Sequence, residues 1–143
     1  MSESKSRLDA LVKYLDTALN NYGFKYESGQ NSYSSGGGFA NGYFNHPKIK
    51  IGLLFRGDKL GSVNYETTAT NISHDMFING INRVSEQKLF YDSEGFCSYT
   101  LNKQKISEAL LDDLETIIIP FVMESSVEQI NSLVLNEREK MWT

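Results

Sequence analysis

Between residues 48 and 56 apolar side chains recur at every second position. Ile49, Ile51, Leu53 and Phe55 are apolar, and Lys48, Lys50, Gly52 and Arg56 are among the residues between them. A period of two sends successive side chains to opposite faces of a strand, so this segment is apolar on one face and largely basic or bare on the other. Such a strand needs paired neighbours and a cover for its apolar side. Phe39 to Phe44 reads as the strand before it, joined through Asn45-His46-Pro47, because proline fixes φ and pushes the preceding residue out of the helical region. Gly57-Asp58-Lys59 is a turn, and Leu60 to Thr68, with Val63 and Tyr65, returns as the next strand of an antiparallel meander.

Helical spacing supplies the cover. Leu8, Leu11, Val12, Leu15, Ala18, Leu19 and Tyr22 recur at three and four residues, with Ser4 or Ser6 as cap and Gly23 as the stop. A second helix is predicted from Ile72, Met76, Phe77, Ile81 and Val84, with Asn71 or Ser73 as cap and Asp75 in the first turn. Gln87 to Tyr91 and Phe96 to Leu101 flank the turn-like Asp92-Ser93-Glu94-Gly95 and read as two further strands. From Ser107 onward, Leu110, Leu111, Leu114, Ile117, Ile118, Phe121 and Val122 mark a third helical face, continued by Val127, Ile130, Leu133, Val134 and Met141. Pro120 interrupts it, so the acidic region 106–141 is expected to be kinked or broken near residues 116–125. The expected fold is α+β, a five-stranded mostly antiparallel sheet in the order helix, three strands, helix, two strands, long kinked helix. At 143 residues this makes one domain with a core. Residues 27–38, ESGQNSYSSGGG, read as a flexible loop.

That element order, in a small acidic chain with an amphipathic helix at its end, resembles the type III secretion chaperones and related small adaptor domains. The resemblance implies a homodimer that holds an extended segment of a partner along hydrophobic grooves. It carries no motif, so no binding residue follows from it.

One cysteine excludes an internal disulfide, and with two histidines it cannot make a zinc site of the usual composition, so no metal or cofactor is expected. The N-terminal helix lacks the unbroken apolar core of a signal peptide. The longest comparable apolar run, Ile117 to Met123, is far too short for a membrane span, so a cytoplasmic protein with no membrane partner is expected.

The net charge of -4 is unevenly placed. Residues 1–102 carry ten acidic and ten basic side chains, and residues 103–143 carry eight and four. Ile106 to Glu137 holds Glu108, Asp112, Asp113, Glu115, Glu124, Glu128 and Glu137 with no Lys or Arg. Such runs usually mark a solvated face. Concentrated on one segment, this one also offers a surface to a basic partner. The residues expected to carry partner binding are Glu124, Val127, Glu128, Ile130, Leu133, Val134, Met141 and Trp142.

Lys48, Lys50, Arg56 and Lys59 form an opposing basic patch beside the strand aromatics Tyr43, Tyr65, Phe90, Tyr91, Phe96 and Tyr99. A basic and aromatic sheet face could stack single-stranded nucleic acid, although the acidic total weighs against it. Gly36, Gly37 and Gly38 are the lid candidates for a small-ligand site or enzyme; they precede a strand, so they are not a phosphate cradle of the usual kind. Cys97 alternates with Tyr99 and Leu101 and reads as a core thiol, while His46 and His74 read as ordinary exposed residues. Asp112 and Asp113 point about 100° apart on a helix, which suits no shared carboxylate site, and Glu124 and Glu128 at i,i+4 would only repel mildly. No catalytic residue is nominated. The expected function is non-catalytic protein binding, of chaperone, immunity or inhibitor type, through the sheet and the acidic C-terminal helical region.

Overall fold

The computed structural model describes residues 3–32, 38–57, 59–84 and 106–140. The fold is α+β. Its antiparallel sheet runs in chain order through β1 (Lys25–Ser32), β2 (Phe39–Asn45), β3 (Lys50–Arg56), β4 (Lys59–Glu66) and β5 (Asn71–Ser73). The helices are α1 (Glu3–Asn21), α2 (His74–Val84), α3 (Ile106–Asp113), a π-helical turn (Leu114–Ile118), α4 (Ile119–Glu124) and α5 (Val127–Lys140). The sequence predicts one domain; the contacts divide the chain into two compact units, Met1–Asn64 and Tyr65–Thr143, which are taken in turn.

In the first unit α1 lies against β1, β2 and β3. Leu8, Leu11, Leu15 and Leu19 are buried with Ala40, Phe44, Ile49, Ile51, Leu53 and Phe55, so the two periodicities meet as expected. Burying each large apolar side chain contributes roughly 1.5–3 kcal/mol before the ordering cost. Gly23, at φ +89, ends α1. Its amide donates to Asn20 O (3.1 Å) and the Phe24 amide to Leu19 O (3.1 Å), the Schellman pairing that a glycine in the left-handed region permits. Ser4 is not the cap. It lies inside the first turn, fully buried, and its hydroxyl donates to Gly57 O at 2.8 Å.

The loop expected at 27–38 is corrected over its first half: residues 27–32 belong to β1, which pairs with β2 from Lys25↔Asn45 to Ser32↔Phe39. This strand is held by its backbone, which composition does not report, and Tyr26 anchors it against Phe44 with ring centroids 5.2 Å apart. The register shifts between Ser28 and Asn31, and the Gln30 amide donates to Asn41 Oδ1 at 2.6 Å. A bulge of this kind twists an edge strand and makes it a poor template for a further strand. Gly38 is held as well, at φ +66 with its carbonyl accepting from the Gly57 amide (3.3 Å). Gly36 and Gly37 lie outside the described residues.

In the second unit Ser73, one of the two expected caps, caps α2, its Oγ accepting from the Met76 amide at 3.3 Å. Phe77, Ile78 and Ile81 meet a core built from Leu110, Leu114, Ile118, Ile119 and Val122 and from Ile130, Leu133 and Val134. A Cβ on Gly80 would stand 2.6 Å from Leu133 Cδ2 and 2.8 Å from Glu137 Cγ, so the absence of a side chain lets α2 and α5 come this close. The expected break near Pro120 has two parts. The Ile119 amide donates to Leu114 O, an i→i−5 bond that widens the turn just before the proline. The chain then leaves the helix at Ser125, in extended conformation at ψ 151. Helix α5 restarts on a reciprocal cap: Gln129 N–H donates to Ser126 Oγ (3.1 Å), and Ser126 N–H to Gln129 Oε1 (2.7 Å). The strands expected at 87–91 and 96–101 lie outside the described residues, and β1 and β5 are sheet members that the hydrophobic pattern did not reveal.

Candidate functional site

Three polar groups lie end to end in the core of the second unit. Tyr65 from β4, His74 at the start of α2 and Asp113 at the end of α3 are 0%, 1% and 6% exposed. Tyr65 Oη is 2.8 Å from His74 Nδ1, and His74 Nε2 is 2.9 Å from Asp113 Oδ2. An ionised carboxylate only accepts, so Nε2–H donates to Asp113; in the neutral imidazole Nδ1 then accepts the Tyr65 hydroxyl proton. Burial, reinforced by the Asp113 charge, pushes the Tyr65 hydroxyl well above its usual value of 10, which keeps it a donor. The expectations that His74 is exposed and that Asp113 belongs to the solvated acidic run are therefore corrected. Both are spent on each other, because a buried carboxylate or imidazole without a partner is costly. This network holds a proton in place within the buried core of the unit.

An open site among the described residues of the same unit is a groove of about 590 Å³ beside α4 and α5, in the size range of single-ligand clefts. Phe121, Leu133 and Val84 supply apolar surface, and Glu124, Glu128, Gln129 and Ser132 supply the polar lining. Glu124 and Glu128 do not form a helical i,i+4 pair, since the extended Ser125 separates their helices. Both are exposed, and neither has an ion-pair partner among the described residues.

The predicted partner residues thus separate. Glu124, Glu128 and Leu133 line the groove. Val127 is 41% exposed, whereas Ile130 and Val134 are fully buried and Leu133 is 3% exposed. These last three pack the unit's own core, so an apolar helical stripe here signalled folding rather than docking. Met141 and Trp142 lie outside the described residues. Glu137 also leaves the acidic surface: it is 6% exposed, takes a hydrogen bond from Arg83 Nη1 to Oε1, and has Lys140 Nζ at 3.2 Å from Oε2. Of the seven acids between residues 106 and 137, Glu108, Asp112, Glu115, Glu124 and Glu128 are exposed.

On the first unit, Lys50 and Arg56 share the face opposite Ile51, Leu53 and Phe55, as parity required, and Lys48 precedes the strand. Lys59 and Arg56 are exposed. Tyr43 pairs across to Gly52, and Lys50 Nζ sits 4.2 Å above the Tyr43 ring centroid. The cation lies over one face of that ring. Phe90, Tyr91, Phe96, Tyr99 and Cys97 lie outside the described residues. Tyr65 belongs to the buried network. His46 accepts the Lys48 amide on Nδ1 at 3.1 Å and packs on Phe24 with centroids 4.7 Å apart. Burial first, then the Lys48 charge, lowers its pKa from 6.5.

Among the described residues no group of three or more His, Cys, Asp or Glu could hold a metal ion, and no helix is long and apolar enough to cross a membrane. Comparison with protein-family models, curated proteins and solved structures finds no match.

Proposed function

We propose that the chain is a non-catalytic protein-binding module and that the groove beside α4 and α5 is its contact surface. The observation that supports this reading is the groove itself: open, partly apolar on Phe121, Leu133 and Val84, and rimmed by polar side chains. Among the described residues, the titratable chain of Tyr65, His74 and Asp113 is buried in the core, which favours binding over catalysis. A role of chaperone, immunity or inhibitor type requires this physics, a small stable domain that presents shape and charge to one partner. The bulged edge of β1 makes that edge of the sheet a weaker contact surface than the groove.

The test is site-specific photo-crosslinking in the source cell from Ser132, which lines the groove, and from Asp16, which is exposed on α1. A discrete protein adduct from Ser132 and none from Asp16 supports the reading. Equal labelling from both positions, or none from Ser132, refutes it.

A further inference from the structure

We infer that the groove's occupant is a Lys- or Arg-bearing segment of another protein, with an apolar side chain on Phe121 and Val84 and its cations on Glu124 and Glu128. The inference rests on the binding reading above and names the chemistry of the partner.

The described cations of the second unit are engaged away from the groove's carboxylates. Arg83 and Lys140 both go to Glu137, the carboxylate that burial would otherwise leave unpaired. Glu124 and Glu128 line a groove with apolar surface and receive no cation from any described residue. No Lys or Arg lies between residues 106 and 137, and Glu108, Asp112 and Glu115 add exposed negative charge to the same stretch. An acidic rim beside an apolar floor is complementary to a segment that alternates cation and hydrophobe, and it disfavours an acidic one by like-charge repulsion. The chain's own residues 85–105, which follow Val84, are not selected by this charge, because they hold Glu86, Asp92 and Glu94 against Lys88, Lys103 and Lys105.

The probe is a fluorescein-labelled eight-residue peptide of Lys, Leu and Phe with blocked ends, set against a control with Gln at each Lys position. Anisotropy is read on the full chain at two salt concentrations. The Lys peptide should bind more tightly than the Gln peptide and weaken with salt. E124Q/E128Q should weaken it by about 5- to 20-fold, the effect of two partly solvated ion pairs. Substitution at two exposed positions leaves the fold intact, which circular dichroism checks. E108Q/E115Q, on exposed carboxylates that do not line the groove, should change binding less than twofold.

Equal affinity for the two peptides overturns the cationic partner, as does absence of binding. Equal loss in E108Q/E115Q also overturns it, because the attraction would then be a diffuse field rather than the groove. A Ser132 adduct to residues 85–105 of the same chain, or a dimer dissociated by E124K/E128K, assigns the groove to the chain itself and likewise overturns the inference. The two readings fail separately. If both peptides bind equally and Ser132→Trp blocks both, the groove remains a protein-binding surface and only its charge preference is wrong.

Discussion

Replacing Tyr65 by phenylalanine removes one oxygen from the buried chain of Tyr65, His74 and Asp113 and leaves the ring in place. The hydroxyl lies 2.8 Å from His74 Nδ1, and His74 is 1% exposed, so water does not take over as donor. Deleting both partners of a buried hydrogen bond is nearly neutral, whereas deleting one leaves the other desolvated and costs about 1–3 kcal/mol. Y65F is the one-sided case. We expect a loss of about 2 kcal/mol, which at a slope of about 2 kcal/mol/M lowers the urea midpoint by about 1 M. Circular dichroism through a urea titration measures it, with amide exchange in α2 reporting the second unit directly. Asp113→Asn completes a cycle. Because both partners act on the same imidazole, the double mutant should cost less than the sum of the singles by about 0.5 kcal/mol or more. A Y65F midpoint within about 0.1 M of the parent, or strict additivity, would refute the reading of these residues as one network.

Alkaline pH probes the same residue. The Tyr65 hydroxyl is held well above 10 by burial and then by Asp113, so above pH 10 the unfolded chain binds fewer protons than the folded one. Stability is therefore full below about pH 10 and falls above it by up to about 1.4 kcal/mol per pH unit from this group. Urea midpoints against pH should fall more steeply in the parent than in Y65F; parallel curves would show that Tyr65 does not contribute. At the crossing of α2 and α5, Gly80→Ala gains about 1 kcal/mol of helix propensity but drives a methyl to 2.6 Å from Leu133 Cδ2. Overpacking costs about 1–3 kcal/mol, so thermal melts should show net destabilisation, and a raised melting temperature would mean that the crossing yields. Ser126→Ala removes the acceptor for the Gln129 amide at the start of α5 and should cost about 1 kcal/mol in the same assay, whereas Ser132→Ala on the exposed side should cost almost nothing.

The elements most legible in the sequence were those that bury one face. Alternation at Ile49 to Phe55 and helical spacing at Leu8 to Leu19 each reported a core surface, and both are buried as read. Strand β1 was not legible because its polar residues hold their place by backbone pairing, and β5 because Asn71–Ser73 is too short to show a period. The buried network was missed although its positions were readable. His74 stands three, four and seven residues before Phe77, Ile78 and Ile81, and Asp113 three after Leu110, so both lie on the core faces of their helices. A titratable residue on an apolar stripe is a signal that it has a buried partner. Sequence separation hid which one, since only the fold brings residues 74 and 113 to 2.9 Å.

The acidic run shows how the structure changes an argument from charge. Its seven carboxylates, taken as uncompensated, suggested one broad negative surface. Asp113 and Glu137 are buried and paired, so they contribute to the integrity of the unit and little to attraction at its surface. The exposed acids differ in turn: Glu108, Asp112 and Glu115 do not line the groove, while Glu124 and Glu128 do. Exposed charges are screened over about 8–10 Å at physiological salt, so distant carboxylates steer an approaching partner more than they hold it. On the proposed reading, affinity comes from the two charges that border apolar surface, because there a bound side chain would exclude water and lower the local dielectric around an ion pair. A solvated helix face made only for solubility would need no such adjacency, and for that reason the location of Glu124 and Glu128 carries more weight than the net charge of -4.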